Sequence, residues 1–239
     1  VAVAVSPILA QTPVMPDCSG ISDVLDPDGT DYTGHLTTVR VVSGLQRLTH
    51  VASPPDGPGG PDDRLFVLEQ RGVIHILDLA TGSLLPTEFI DLQSIVRDSG
   101  DEEGLLSIAF HPEYNTPGAT NEGNFFIYYT NNSGNNQISR FSVSSDPNVA
   151  DTTETPVLTI NHPTFSNHNG GQLAFGPDGY LYASPGDGGG GCDPFETGQN
   201  LQDLRGKMLR LQVDSVPYST AGNPWNGSPT GLDEIWAYG

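Results

Sequence analysis

Basic residues are scarce in this chain of 239 residues, which holds nine lysines and arginines against 29 aspartates and glutamates. The formal net charge is −20. This balance argues against a nucleic-acid partner, because phosphates need Lys and Arg to neutralise them. The acidity is compatible with bound cations and with a secreted protein, and solubility alone accounts equally well for most of these carboxylates.

Long hydrophobic runs are also missing, so the sequence predicts no membrane span. Residues 1–10 are apolar but too short to cross a bilayer. We interpret them as the remnant of a signal peptide cleaved near Ala10–Gln11, which predicts a secreted or periplasmic protein. A buried first strand is the alternative.

Cysteine is nearly absent, since Cys18 and Cys192 are the two in the chain. Two cysteines exclude a disulfide scaffold. They can form one bridge in an oxidising compartment, but the sequence does not fix the distance between their Cα atoms, so the pairing stays open.

No convincing amphipathic helix is present, and the 29 glycines and 20 prolines predict short strands joined by turns. Residues 11–40 are a polar lead-in, and residues 41–239 hold the strand-like runs. The segment 89–98 fits a strand or a single turn equally well. The predicted strands are 64–70, 72–79, 124–130, 137–143, 155–160, 179–184, 207–213 and 234–239.

An internal repeat precedes three of these strands. The segments "HVASPPDG", "IAFHPEYN" and "LAFGPDG" place prolines at Pro55, Pro112 and Pro177, in steps of 57 and 65 residues. Units of this size with several short strands predict propeller blades, which bury both faces only against neighbouring blades. A two-sheet sandwich would not need this recurrence. Three units do not close a ring, so we expect an incomplete propeller.

A histidine and an aspartate border the third repeated hairpin. His168 stands just before one strand and Asp187 just after the next, so both should lie at the same end of an antiparallel hairpin. An aspartate can fix the tautomer of an imidazole and stabilise its protonated form, as a general base requires. The alternative is that His168 caps a turn and Asp187 ties down a loop. Five glycines beside the pair are expected to leave room for a flat ligand: Gly170, Gly171, Gly186, Gly188 and Gly189.

The other histidines show no metal-ligand spacing, so the residues themselves predict no metal site. The segments "GLLSIAFHPEY", "NHNGGQLAFGPDGYLYASPGDGG", "GQNLQDLRGKMLRLQVD" and "EIWAYG" occur in the order, and at roughly the spacing, of the glucose/sorbosone dehydrogenase family. From about residue 41 onward the chain resembles this family, which includes quinoprotein glucose dehydrogenases, aldose sugar dehydrogenases and hedgehog-interacting-protein-like propellers. The resemblance implies an all-β fold, a six-bladed β-propeller. The chain would cover about the first half of it, three blades and the start of a fourth.

The resemblance also implies pyrroloquinoline quinone (PQQ) and calcium as cofactors, and oxidation of an aldose to its lactone, with an electron acceptor as a further partner. His168 matches the base that takes the sugar hydroxyl proton while hydride passes to the quinone, and Asp187 matches the acid beside it. Asn167 and Glu102 match positions near the cofactor. Lys207 matches a position where a structural role is expected.

The chain departs from the family pattern at several points. Arg205 stands where an apolar residue is usual, Pro185 interrupts the turn before Asp187, and Cys192 lies in a loop that normally has none. At Gly239 family members continue with an Arg-Asn-Pro stretch, so we expect the main calcium ligands beyond this point. With two blade faces bare, we expect residues 11–239 alone to form a homodimer, aggregate or stay partly unfolded, without sugar oxidation even when quinone and calcium are added.

Two functions remain open at this point. One is a PQQ-dependent sugar dehydrogenase, of which this chain would be a fragment. The other is a non-enzymatic propeller that binds a protein or a glycan, as in the hedgehog-interacting branch. The spelling "SNHNGGQL" occurs in both branches, so His168 does not decide between them. A third option, a calcium-dependent lactonase-like propeller, fits the acidity but not the motifs.

Overall fold

The computed structural model describes residues 40–162 and 164–239, and this part of the chain contains strands, turns and no helix. The predictions for residues 1–10, for Cys18 and, apart from Arg40, for residues 11–40 lie outside the described residues. The strands are β1 Leu48–Ala52, β2 Arg64–Glu69, β3 Val73–Asp78, β4 Ser83–Leu84, β5 Ile90–Asp91, β6 Leu105–Phe110, β7 Asn124–Thr130, β8 Asn136–Ser142, β9 Thr155–Ile160, β10 Gly170–Phe175, β11 Leu181–Pro185, β12 Lys207–Leu211 and β13 Ile235–Tyr238.

The strands form three antiparallel sheets within the compact unit Gly44–Gly239. Sheet 1 has the order β1-β2-β3-β4 with β5 also paired to β3, sheet 2 the order β6-β7-β8-β9, and sheet 3 the order β10-β11-β12-β13. The all-β prediction is confirmed. The expected start of a fourth blade is absent from the described residues, because the final strand β13 pairs with β12 and completes sheet 3.

The sheets stack through their faces. The first strands lie side by side, β1 against β6 and β6 against β10. Separate meanders whose first strands are neighbours have the arrangement of propeller blades. Sheet 2 is buried on both sides, and β7 shows this directly: Phe125 and Ile127 belong to the apolar cluster shared with sheet 1, while Phe126 and Tyr128 belong to the cluster shared with sheet 3.

The sequence predicted β7 and β9 at their observed residues, and the other six runs to within about two residues at each end. The segment 89–98 contains both alternatives, since Ile90–Asp91 is a strand and the Leu92 carbonyl then accepts the N–H groups of Ile95 and Val96 in a turn. The inner strands β1 and β6 were not among the predicted runs, and β10 was expected only as the strand after His168, without bounds.

Close packing between inner strands explains part of this omission. Strand β10 opens with two glycines, a composition that weakens any strand signal. Gly171 has a φ of +118°, and a Cβ there would lie 2.8 Å from the Cβ of Leu106 on β6. The glycine is therefore required by the neighbouring blade, which the local sequence does not reveal.

His50 on β1 is expected to make the stability of the protein depend on pH. Burial lowers the pKa of His50 below its ordinary value of 6.5. The unfolded chain then binds the proton more tightly, so stability that is present above about pH 6.5 is lost as the pH falls through the folded-state pKa. We expect the melting temperature to fall between about pH 7 and about pH 5. In His50→Gln part of this slope should vanish, and an unchanged slope would contradict the prediction.

Candidate functional site

Three loops meet where the first strands of sheets 2 and 3 begin. Glu102 precedes β6, His168 precedes β10, and Asp187 follows β11. Strands β10 and β11 form an antiparallel hairpin, and β6 lies beside β10. The structure therefore brings these three predicted site residues to one end of the sheets.

His168 and Asp187 form a hydrogen-bonded pair. Nδ1 of His168 lies 2.8 Å from Oδ1 of Asp187, and the same oxygen accepts the Gly189 N–H at 3.1 Å. The His168 side chain is 41% exposed and that of Asp187 27% exposed. No hydrogen bond from the described residues engages Nε2 of His168. A neutral imidazole that donates Nδ1–H to the carboxylate presents Nε2 as an acceptor, so it can take a proton from a ligand hydroxyl.

The backbone of His168 is held in an uncommon conformation. Its φ is +57°, in the left-handed region that residues other than glycine seldom adopt. Its N–H donates to Oε2 of Glu102 at 2.5 Å. The backbone of Gly186 passes so close to the His168 carbonyl that a Cβ on Gly186 would lie 2.5 Å from the carbonyl carbon. Strain of this kind concentrates at functional sites. Glu102 thus orients His168 here, and its predicted role at the cofactor stays a prediction.

The buried acid of this loop is Glu103, which sequence reasoning missed. Its side chain is 3% exposed, and one carboxylate oxygen accepts three hydrogen bonds from segment 97–100. The amide of Gln70, at the end of β2, donates to backbone carbonyls of segment 100–103. These contacts fix the loop that presents Glu102. The doubled acid in "DEEG" was the available signal, but it does not say which of the two turns inward.

The glycines around the pair do not clear space for a ligand, so that interpretation is wrong. Protein atoms fill the place of each missing side chain. A Cβ on Gly189 would lie 2.5 Å from Oδ1 of Asn167 and 2.5 Å from Cβ of Phe165, and one on Gly188 would lie 2.6 Å from Nη1 of Arg205. The glycines instead let the His168 and Asp187 loops pack against each other, with the half-buried Asn167 beside the pair. Its predicted contact with the cofactor stays a prediction.

Lys207 lies beneath the loop that follows Asp187. Its side chain is buried, and Nζ donates to the backbone carbonyls of Thr197, Gly198 at 3.1 Å and Arg205 at 2.9 Å. Burial lowers the pKa of this amine below its ordinary value. The contacts are structural, in line with the role expected for Lys207.

Replacing Lys207 by methionine is expected to lower the free energy of unfolding by about 2 kcal/mol, because three carbonyls would lose their donor. Urea denaturation measures the effect. The neighbouring Met208→Ala is the control, since Met208 is 39% exposed and should change stability by at most ~0.5 kcal/mol. Equal stability of Lys207→Met and the wild type would contradict the structural role.

Two other departures from the family pattern are Pro185 and Cys192. Pro185 is the last residue of β11, opposite Gly170, where the first strand of the sheet begins. Cys192 is exposed, and its possible partner Cys18 lies outside the described residues.

Within residues 40–162 and 164–239, no group of three or more His, Cys, Asp or Glu side chains is placed to hold a metal ion. In the same part of the chain there is no helix of the length and apolarity that a membrane crossing needs.

Comparisons with known proteins agree with this arrangement. The family model described as Glucose / Sorbosone dehydrogenase matches residues 59–239. The hedgehog-interacting protein of Mus musculus is 34% identical over 222 residues, which cover 85% of this chain and 30% of that protein. Quinoprotein glucose dehydrogenase B of Acinetobacter calcoaceticus is 31% identical over 187 residues, which cover 66% of this chain and 37% of that protein.

A solved structure shares the fold. The PQQ-bound form of the aldose sugar dehydrogenase from Streptomyces coelicolor superposes with a TM-score of 0.62 at 31% identity, covering 80% of this chain and 51% of that one. The chain therefore spans about a third of the length of the two relatives above and about half of this structure. The three sheets are blades of a β-propeller, and the predicted resemblance is confirmed: the chain belongs to the glucose/sorbosone dehydrogenase family.

Proposed function

We propose that this chain supplies the catalytic base of a secreted or periplasmic, PQQ-dependent sugar dehydrogenase that oxidises an aldose to its lactone. The observation that carries the proposal is the His168–Asp187 pair, with Nδ1 at 2.8 Å from the carboxylate and Nε2 unengaged by the described residues. The PQQ-bound aldose sugar dehydrogenase of Streptomyces coelicolor supports the choice of cofactor and substrate class.

The residues of this chain have separable roles in the proposed reaction. His168 accepts the hydroxyl proton of the sugar at Nε2. Asp187 holds the tautomer through Nδ1–H and stabilises the imidazolium that forms. Glu102 fixes the backbone of His168 through its N–H, which sets the direction of the ring. PQQ, when bound, supplies the two-electron acceptor for the carbon-bound hydrogen.

The described residues can supply the catalytic base of a quinone site, but not the cationic groups that would bind the carboxylates of PQQ. PQQ carries carboxylates, which cations and N–H donors bind. The basic side chains around the loops contact protein groups: Arg47 binds Asp101 at 3.1 Å, Arg97 binds Glu103 at 3.1 Å, and Lys207 binds carbonyls. Arg205 binds Asp203 through Nε and Nη2, and its buried Nη1 faces the Asp187 turn. Glu102, Asn167 and His168 are the residues here that would lie beside the cofactor. We place its cationic anchors and the main calcium ligands outside the described residues.

The test uses the full-length protein reconstituted with PQQ and Ca²⁺, a panel of aldoses and a redox dye as electron acceptor. We expect dye reduction with lactone as the product, and none when PQQ is omitted. Bound PQQ, verified by its absorption spectrum, without dye reduction on any aldose would overturn the dehydrogenase proposal.

A binding function is the second candidate, because the hedgehog-interacting protein of Mus musculus is 34% identical over most of this chain. In that case the full-length protein would bind a hedgehog-type ligand and would not retain PQQ. Surface plasmon resonance with such a ligand, run beside PQQ equilibrium dialysis, separates the two functions. Retention of PQQ with no ligand binding would exclude the second candidate.

A further inference from the structure

Arg205 carries a buried charge next to the His168–Asp187 pair. Its side chain is 11% exposed. Nε lies 3.0 Å from Oδ1 of Asp203, Nη2 lies 2.6 Å from Oδ2, and the guanidinium carbon is 5.5 Å from the centre of the Phe195 ring. The remaining nitrogen, Nη1, is buried and has no hydrogen-bond partner among the described residues.

A similar arrangement occurs at Arg64 on β2 of sheet 1, where all three guanidinium nitrogens form hydrogen bonds. Arg64 binds Asp62, also two residues earlier, at 2.6 Å, and its guanidinium carbon is 5.4 Å from the Phe66 ring centre. There Nη1 donates to the carbonyl of Pro147 at 2.6 Å. An unsatisfied buried donor is unfavourable by about 1–3 kcal/mol. Arg64 shows that an Asp-x-Arg pair can form with Nη1 also bonded, so the unpartnered Nη1 of Arg205 needs its own explanation.

Nη1 of Arg205 faces the turn that carries Asp187. Gly188, the next residue, has a φ of +95°, and a Cβ there would lie 2.6 Å from Nη1 and 2.9 Å from Cδ of Arg205. Gly189 then donates its N–H to Oδ1 of Asp187. The guanidinium therefore packs directly against the backbone that orients the carboxylate.

Electrostatic attraction also links Arg205 to the carboxylates around it. The pKa of Arg205 is raised above its ordinary value, first by the hydrogen bonds to Asp203 and then by the negative charges of Asp203, Asp193 and Asp187, which outweigh the opposing effect of burial. Attraction between the guanidinium and the Asp187 carboxylate therefore accompanies the packing contact, beside the stronger attraction to Asp203.

We propose that Arg205 is a positioning residue for the His168–Asp187 pair: its buried guanidinium supports the turn at Gly188 and, by its charge, holds the Asp187 carboxylate where it meets Nδ1 of His168. The inference takes the importance of the pair from the proposed function, but the geometry that it explains is independent of that function. An apolar side chain at this position would fill the space and leave the carboxylate without this support.

The test compares Arg205→Leu, Arg205→Gln and Arg205→Lys in the full-length protein. The main readout is the proton NMR signal of the His168 Nδ1–H, which a hydrogen bond to a carboxylate shifts downfield and which His168→Ala identifies by its absence. We expect the signal to be lost in the Leu and Gln variants and kept in the Lys variant. With PQQ and an aldose, kcat should fall about 10-fold in the neutral variants with KM unchanged, and Lys should restore it to within about 3-fold.

Arg64→Leu is the matched control, because it removes the same Asp-x-Arg contact far from the pair. It should lower stability and leave the Nδ1–H signal intact. If Arg205→Leu does not fold, the Gln and Lys variants still decide, since they differ in charge at similar size. A wild-type signal in Arg205→Gln, or loss of the signal in Arg64→Leu, would overturn the inference. If Arg205→Gln loses the signal and the wild-type protein oxidises no aldose, the positioning role stands and the proposed function is removed.

Discussion

Replacing His168 by alanine is expected to lower the turnover of the full-length, PQQ-loaded protein by roughly 10²–10⁴-fold, the usual effect of losing a general base. The physical reason is specific to the pair. Nε2 of His168 is the acceptor that its contact with Asp187 leaves free, and the nearby Glu102 carboxylate already accepts the backbone N–H of His168. Initial rates of dye reduction with a saturating aldose measure the effect.

Two further variants show whether a loss comes from the base itself. Asp187→Asn keeps the shape of the side chain but removes the negative charge that stabilises the imidazolium, so it should also lower turnover by at least ~10²-fold. His50→Gln removes a histidine on β1 and should keep the wild-type rate. Equal turnover of His168→Ala and the wild type would remove His168 from the mechanism, whatever Asp187→Asn does.

The half of the site that could be predicted is the half that local sequence determines. His168 and Asp187 flank a single hairpin, β10–β11, whose antiparallel pairing requires its entry and exit to lie at the same end. Strand β7 of sheet 2 could also be predicted from its local sequence. A sheet buried on both faces needs continuous apolar runs, and β7 has one in "NFFIYYT".

The other half depends on contacts between blades, which no local pattern encodes. Gln70 follows β2 of sheet 1 and Glu103 precedes β6 of sheet 2, and they meet only because β2 ends beside the loop before β6. The glycines show the same limit. Their number indicated open space, but backbone and side chains from distant segments fill it, as at Gly171 against Leu106. A glycine-rich stretch indicates that something approaches the backbone closely, and it does not tell a ligand from the protein itself.

Gly186 is the position near the His168–Asp187 pair where an added side chain should be least tolerated. A Cβ on Gly186 would overlap the carbonyl oxygen of His168, and it would lie 2.5 Å from the carbonyl carbon and 3.2 Å from the nitrogen of Gly170. All three are backbone atoms, so no side-chain rotation relieves the clash. The carbonyl of Gly186 also accepts the N–H of Gly206 at 2.8 Å, which prevents the segment from moving away freely.

Replacing Gly186 by alanine is therefore expected to force the entry of β10 away from the exit of β11. His168 and Asp187 lie on opposite sides of that gap, so their 2.8 Å contact should break. A displacement of about 1 Å at a catalytic group can lower the rate by ~10²-fold, and overpacking against rigid backbone lowers stability by up to about 3 kcal/mol. Turnover, urea denaturation and the Nδ1–H signal of His168 measure the three consequences.

Gly191→Ala is the matched control in the same loop, because a Cβ on Gly191 would meet no heavy atom within 4 Å and the residue does not have a positive φ. It should keep turnover, stability and the Nδ1–H signal within error of the wild type. Loss of activity in both variants would show that the loop tolerates no added carbon anywhere, and the clash at His168 would then not be the cause. Wild-type turnover in Gly186→Ala would show that the pair survives a separation of its two loops, and hairpin closure would then not be what holds the base in place.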